Sequence, residues 1–562
     1  MGAYSITEAC VGCTICAKNC PVHAIMGNTK ERHMVDPEKC IRCGVCGKVC
    51  AYGAVLTDFG KSTVKVPKTQ WEKPTVNRET CAGCSVCIAN CPKQCLELTQ
   101  PGFHGDIRTI AMLARPMECI GCGICDKVCP IGAIMMVKPG QGAAFPCISR
   151  KKGEVGKMFF ARIWCRVFQA VMKVANYFLG YRMPETLEGP GSISRLPEFM
   201  KEKGASKALV VTDGNLLKLG LLDGMLESLT EGGFSYSVFS DLAINPTSAN
   251  VEAGYKVYKD NECQCLVAFG GGAPMDCAKG IAAKSVHPNK SVKQLQGILK
   301  VHKKIPLFFA IPTTAGTGSE TTVAAVITDS ETHHKASIND PSILPGYAIL
   351  DPELTVGLPP MVTATTGMDA LSHAVEAYTN HTYNTPLEDK LAKDAVQLIF
   401  HNLLMAYRDG NNLEARQNMQ RASFFAGRAF TRGCVGYVHA VGHTLGGLYG
   451  VAHGLAMSII LPHVMRQYGP AVHDRLADLA DVCGMEGETK ADKANQFILW
   501  IEKMKKDMDI PVGVDMIREE DVDQIITWAM KEGNPLYPVP VIWGREDFRQ
   551  LLNTLKCKST PI

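Results

Sequence analysis

The run CLVAFGGGAPMDCAKG, Cys265–Gly280, decides how most of this chain folds. Its opening residues are apolar or small and read as a buried strand. Three glycines follow where the strand hands over to a helix. Backbone N–H groups and a helix N-terminus at such a turn can hold a pyrophosphate. The spacing is not G-x-G-x-x-G, so a plain tight turn is the competing reading from these residues alone. On either side the theme repeats. KALVVTD (207–213) and YSVFS (236–240) read as strands, and PLFFAIPTTAGTGSE (306–320) as a strand running into a Thr/Gly loop. Strands separated by helical stretches predict a parallel sheet covered by helices.

Beyond about residue 361 the pattern becomes helical. TGMDALSHAVEAY (366–378) sets Asp369 and His373 four apart, on one helical face. GYVHAVGHTLGGLYGVAHG (436–454) adds His439, His443 and His453. One carboxylate and several imidazoles suit a divalent metal of borderline softness, Fe(II) or Zn(II). His287, His401 and His463 have no such company and read as structural.

Upstream the chain is different. Of 25 cysteines, 17 lie between Cys10 and Cys129. The opening MGAYSITEAC has neither a basic nor an apolar signal region, and cysteines three apart suit a metal cage better than disulfide staples. The expectation is a reduced, cytoplasmic setting in an oxygen-avoiding cell. The spacing C-x2-C-x2-C-x3-C occurs four times, at Cys10/13/16/20, Cys40/43/46/50, Cys81/84/87/91 and Cys119/122/125/129. Structural zinc prefers paired C-x2-C knuckles or mixes in His, so four complete runs point to iron–sulfur clusters. In the bacterial two-cluster ferredoxin arrangement the fourth cysteine of a run binds the other cluster. Carried over, Cys10, Cys13, Cys16 and Cys50 hold the first cluster, and Cys40, Cys43, Cys46 and Cys20 the second. Cys81, Cys84, Cys87 and Cys129 hold the third, and Cys119, Cys122, Cys125 and Cys91 the fourth. Gly12, Gly44, Gly83 and Gly121 let the backbone approach the sulfurs. Ala51 stands where the other runs are followed by Pro. Cys95 reads as a packed thiol, and Cys147 and Cys165 have no assignment. The region resembles two bacterial-type ferredoxin modules in tandem.

The net charge of +4 hides three zones: +5 over 1–140, +7 over 147–182 and −8 over the rest. Thiolate-bound clusters offset the first, so it is no nucleic-acid signal. The second contains a helical pattern with Phe159, Ile163, Val167, Val171, Val174 and Phe178 on one face and Arg162, Arg166, Gln169 and Lys173 on the other. Three basic residues argue against a membrane span. The remaining readings are a connector packing its apolar face on the enzyme or a partner subunit, and a helix lying on a membrane surface.

From about Tyr181 to the C-terminus the chain resembles the iron-containing (group III) alcohol dehydrogenases. The matching motifs are the glycine turn with Asp276 and Lys279, PTTAGTGSE (312–320), ILDPELT (349–355), GMDALSHAVE (367–376) and the histidine run ending VAHG. The resemblance implies α+β ferredoxin-like modules followed by a dehydroquinate synthase-like fold, an α/β nucleotide-binding domain plus an all-α metal-binding domain. The expected division is 1–66, 67–140, a linker helix at 141–180, 181–360 and 361–562.

The resemblance also implies roles. Asp369, His373, His439 and His453 match the metal ligands, and His443 the histidine beside the nicotinamide. Gly271, Gly272 and Asp276 match the pyrophosphate loop, with Ala273 where the family usually has Ser. Thr313, Thr314 and Thr317 match a second nucleotide loop. Asp213 matches a position where an acid favours NAD(H) over NADP(H). The expected cofactors are four [4Fe-4S] clusters, Fe(II) or Zn(II), and NAD(H). The expected activity is alcohol dehydrogenase or aldehyde reductase on a small substrate, by a homo-oligomer with a ferredoxin or flavoprotein redox partner. The alternative is an electron-transfer subunit of a larger oxidoreductase complex.

Overall fold

The structure, a computed structural model, describes residues 3–77, 81, 83–99, 109–129, 132–138, 152–242, 245–331 and 335–556. The chain divides into two compact units, Met1–Lys151 and Lys152–Ile562. Cys147 and the Phe159 side chain lie outside the described residues.

The first unit is built twice. Each half has two antiparallel strand pairs: Ser5–Ile6 with Val55–Leu56 and Ile25–Met26 with Met34–Val35, then Lys73–Val76 with Ile134–Val137 and Leu96–Leu98 with Ala111–Leu113. One short helix rises from each cysteine run, at Ile15–Asn19, Val45–Val49, Val86–Ala89 and Ile124–Lys127. Two positions per run are left-handed: Gly12, Arg42, Gly83 and Gly121 after the first cysteine, and Thr14, Gly44, Ser85 and Gly123 after the second. The glycines quoted from the sequence therefore occupy two different sites, because Arg42, not Gly44, is the counterpart of Gly12. Three side-chain residues hold a backbone conformation that costs about 1–2 kcal/mol, which the wrapping of the sulfurs must offset. The apolar cores are small, and cysteines are part of them: Cys16 and Cys46 sit among Ile6, Ile25 and Val55, and Cys87 and Cys125 among Leu96, Ala111 and Ile134.

The second unit opens on helix α1, Lys152–Tyr177. Strands β1 (Glu185–Glu188), β2 (Lys207–Val211), β3 (Ser235–Phe239), β4 (Cys265–Gly270), β5 (Leu307–Pro312) and β6 (Tyr347–Leu350) form one parallel sheet, in the order β3-β2-β4-β5-β6-β1. Every residue of β4 is buried, as a central parallel strand with both faces covered requires. Helix α2 (Gly272–Val286) leaves β4 directly through the glycine turn. The rest is helical. Helices α3 (Pro360–Asn380), α4 (Leu413–Gly433), α5 (Tyr437–Tyr449), α6 (His453–Tyr468) and α7 (Val522–Gly533) share one large core. Pro360 begins α3 where its missing N–H costs nothing.

Helix α1 corrects one part of the sequence reading: its apolar face does not pack on the described residues of the enzyme unit. Ile163, Val167, Val171, Val174 and Phe178 are exposed, with Phe160, Trp164 and Tyr177 beside them. The opposite face packs, through buried Cys165, Gln169 and Asn176. Arg162 donates to the Ile542 carbonyl, Arg166 to those of Val539 and Pro540, and Gln169 to those of Pro535 and Tyr537. The segment NPLYPVPVIW presents these carbonyls and lacks the N–H groups of Pro535, Pro538 and Pro540. Satisfying them outweighs burying the valines, because an orphaned buried carbonyl costs about 1–3 kcal/mol. No helix among the described residues is long and apolar enough to cross a membrane.

Candidate active site and cluster sites

The turn after β4 and the loop after β5 meet. Thr313 N–H donates to the Gly270 carbonyl at 3.2 Å. A Cβ on Gly271 would lie 3.4 Å from Thr314 Oγ1, and one on Gly272 would lie 3.2 Å from Thr317 Cγ2. Backbone N–H groups at the start of α2 and the Thr hydroxyls thus border one narrow slot. Asp276 is occupied within the fold, accepting from Ser319 Oγ at 3.0 Å and Val326 N–H at 3.0 Å. Lys279 is fully buried and donates to Ser319, Thr322 and the Ala324 carbonyl; burial pulls its ammonium down to about 8. Both residues tie the slot together from behind. Asp213, two residues past β2, caps the following short helix, accepting from Asn215 N–H at 2.9 Å and Leu216 N–H at 3.0 Å.

The Thr/Gly loop also rests on α3. A Cβ on Gly316 would lie 2.7 Å from Thr366, one turn before Asp369. Asp369, His373, His439 and His453 converge there, each offering a ligand atom within 4.8 Å of the others. Asp369 Oδ1, His373 Nδ1 and His439 Nε2 are buried polar atoms with no hydrogen-bond partner. Asp369 Oδ1 faces His439 Nε2 at 3.9 Å and His453 Nε2 at 3.4 Å, and buried orphans set so close are costly unless a cation sits between them, so the donor set fits a divalent metal. Burial pushes Asp369 up, but the imidazoles of His373, His453 and His439 outweigh it and hold the carboxyl well below its usual range. Burial pulls His373 down to about 3 and His439 well below its ordinary value. All three therefore present lone pairs. The His453 side chain is 41% exposed, which leaves that side of the centre open.

Two carboxylates absent from the sequence reading support this centre. Glu376 accepts from His439 Nδ1 at 2.5 Å and from Val438 N–H at 2.7 Å. It fixes the tautomer that turns Nε2 toward Asp369. Its place could have been read, since Asp369, His373 and Glu376 recur at four and three on one helical face. Glu376→Gln is expected to weaken metal affinity about 10–100-fold. A zinc competition titration against a chelator measures this, and unchanged affinity would show that Glu376 is mere packing. Glu532, on α7, accepts from His443 Nδ1 at 2.7 Å and from the Tyr537 hydroxyl at 2.9 Å. Burial would raise Glu532, but His443 and Tyr537 together hold it below its usual value. Nothing in the sequence pairs residues 443 and 532.

In the first unit, Cys10, Cys13, Cys16 and Cys50 line one cavity. Cys91, Cys119, Cys122 and Cys125 line another, joined by Cys95, whose Sγ is 3.3 Å from Cys91 Sγ. Burial pushes the Cys95 thiol well up, Cys91 and Cys119 adding to it, so it stays a protonated neighbour. Cys87 has Cys84, Cys129 and Cys81 as its charge neighbours, and Cys43 has Cys122, Cys20 and Cys40. Backbone N–H groups of Ala24, Cys95, Ala111 and Ala133 point at the sulfurs of Cys20, Cys91, Cys81 and Cys129 at 3.2–3.4 Å. Soft thiolates gathered in fours, with amide donors on the sulfurs, fit cubane clusters.

Comparison with known proteins matches each part. A family model described as iron-containing alcohol dehydrogenase covers residues 184–352, and one described as Fe-containing alcohol dehydrogenase family, C-terminal, covers 363–555. A 4Fe-4S dicluster domain model matches twice, at 9–54 and 80–133. The chain is 39% identical over 375 residues to a 1,3-propanediol dehydrogenase of Klebsiella pneumoniae, spanning 66% of this chain and 94% of that protein. Among solved structures, a 1,3-propanediol oxidoreductase superposes with TM-score 0.65 at 37% identity, covering 67% of this chain and 100% of that one. A sulfoacetaldehyde reductase from Bifidobacterium kashiwanohense, in complex with NAD+, superposes with TM-score 0.61 at 29% identity, covering 68% and 100%.

Proposed function

The chain belongs to the iron-containing alcohol dehydrogenase family and carries 4Fe-4S dicluster domains, and from that premise we propose that it interconverts a small alcohol and its aldehyde with NAD(H) while its cysteine-rich unit carries electrons to or from a redox partner. The catalytic part has the dehydroquinate synthase-like fold of its relatives. The observation that carries the dehydrogenase reading is the set of orphaned buried atoms on Asp369, His373 and His439, one helical turn from the nucleotide slot.

Asp369, His373, His439 and His453 would hold Fe(II) or Zn(II), which supplies Lewis-acid polarisation of the substrate oxygen when bound. The Gly271, Gly272, Thr313, Thr314 and Thr317 slot orients the pyrophosphate, and so the nicotinamide, toward the open His453 side. His443 handles the proton. Glu532 holds its Nδ1–H, so Nε2 takes the alcohol proton during oxidation and returns it during reduction. The balance is alcohol plus NAD+ giving aldehyde, NADH and one proton. The Asp213 carboxylate just past β2 would repel a 2′-phosphate, which favours NAD(H).

The cysteine sets are proposed to hold four [4Fe-4S] clusters, with the chain divided at 1–66, 67–140, 141–180, 181–360 and 361–562. A hydride carries two electrons and a cluster takes one, so a flavin must stand between nicotinamide and cluster for the two to exchange. A flavoprotein partner would supply that flavin, whereas a ferredoxin partner would exchange electrons with the clusters alone, and both fit the reducing, cytoplasmic setting proposed for the cysteine-rich unit. Two assays on one anaerobic preparation test the proposal. Short aldehydes should drive NADH oxidation. Alcohol-dependent viologen reduction should appear only with the partner and be lost in Cys119→Ala. Absence of the first activity in metal-loaded protein would overturn the dehydrogenase reading.

A further inference from the structure

The sequence order of the four cysteine sets is not their order in space. The first and second sets share one small core through Cys16 and Cys46, and the third and fourth share another through Cys87 and Cys125. A third core joins the two halves. It consists of Val45, Trp71 and Ile120, with Cys43 and Cys122 packed against it. Cys43 belongs to the second set and Cys122 to the fourth.

The segment 66–73 locks this junction. Val66 N–H donates to the Lys48 carbonyl at 2.9 Å, and Trp71 Nε1–H donates to the Val66 carbonyl at 2.8 Å. Lys73 Nζ donates to the Cys119 carbonyl at 2.6 Å. A Cβ on Gly121 would lie 2.7 Å from the Glu72 carbonyl oxygen, so the fourth run lies directly on this segment. Exposure gives an independent sign. Among the described cysteines only Cys13 and Cys84 are exposed, and they belong to the first and third sets.

We infer that the cysteine-rich unit is one continuous conductor in the order first, second, fourth, third, with the Cys13 and Cys84 ends exchanging electrons with separate one-electron carriers. The inference rests on the proposed cluster content. Each hop oxidises one cluster by one electron and reduces its neighbour by one, with no atom or proton moving. A reduced carrier of ferredoxin or viologen type supplies the electron at one end, and an oxidised carrier removes it at the other. The fourth set, Cys119/122/125/91, is then an interior relay and not an outlet.

Two measurements on the full chain test this. The first is an anomalous difference map at the iron edge from anaerobically grown crystals of the wild type. It should show four cluster peaks, with the second and fourth as the close inter-module pair and the first and third farthest apart. Fewer than four peaks would defeat the cluster reading beneath the inference. Four peaks with any other neighbour across the modules would overturn the order itself. The second is electron paramagnetic resonance of reduced variants. Cys13→Ala, Cys16→Ala, Cys84→Ala and Cys87→Ala together leave the second and fourth clusters, whose signals should be split by mutual coupling. Cys43→Ala, Cys46→Ala, Cys122→Ala and Cys125→Ala leave the first and third, which should give uncoupled signals. The reverse pattern overturns the order. If the variants lose further iron, the wild-type map decides.

Discussion

His439→Ala is expected to remove metal and turnover together, lowering kcat/KM for aldehyde reduction at least about a thousandfold. His439 is 2% exposed, and its Nε2 has no hydrogen-bond partner. Its Nδ1 is held by Glu376, so the ring has one orientation and one tautomer. Truncation removes one of four donors and takes one partner from a buried carboxylate, which costs further free energy. Burial already lifts Glu376 to about 7, so the carboxyl, left with backbone donors such as Val438 N–H, would take up a proton more readily. Cluster iron would mask a lost iron, so occupancy is read on protein loaded with zinc. His443→Ala is the contrasting variant: it should keep zinc and lose kcat, because its Nδ1 is held by Glu532 and its ring touches His453 and His439 only by stacking and edge contact, without being one of the four converging donors. Full zinc occupancy and normal turnover in His439→Ala would remove the basis of the assignment.

The parts of this protein that were legible in the sequence are those in which a local period fixes a geometry. Cys265–Gly270 became the central strand, and the glycine turn after it became the start of α2. Asp369 and His373, four apart, came together with His439 and His453. What stayed hidden depended on partners distant in the chain. The helical period correctly grouped Val167, Val171 and Val174, but it could not say which face finds a partner. That was decided by unpaired carbonyls at residues 535–542, some 370 residues away. Glu532 reaches His443 across 89 residues. The junction of the second and fourth cysteine runs is set by Trp71, a residue in what reads as a plain connection between repeats. In each case a residue type announced its chemistry, and only tertiary packing chose its neighbour.

Gly427→Val tests a contact of that hidden kind, and its expected effect is a stability loss of about 3 kcal/mol with a rise in KM for the nicotinamide cofactor of at least about tenfold. Helix α4 crosses the Thr/Gly loop with backbone against backbone. A Cβ on Gly427 would meet the Thr321 hydroxyl first, then lie 2.6 Å from the Gly318 carbonyl oxygen and 2.9 Å from its Cα, and one on Gly318 would lie 2.7 Å from Gly427 Cα. Gly318 also has φ +58°, a conformation most side chains avoid. Around this seam the loop is tied to α4 by Gly318 N–H to Ser423 Oγ at 3.1 Å and Thr431 Oγ1–H to the Thr321 carbonyl at 3.1 Å. Turning the Thr321 hydroxyl aside cannot alone absorb Val at 427, because the next two atoms it meets are Gly318 backbone. The loop must lift, and Thr317 then moves off Gly272 while Gly316 moves off Thr366, so the nucleotide slot opens and separates from the metal helix together. Gly427→Ala should show the same two changes at smaller size. Thermal unfolding followed by circular dichroism and a cofactor titration at saturating aldehyde measure them. If melting falls while cofactor KM stays fixed, the seam is structural only and does not set the slot.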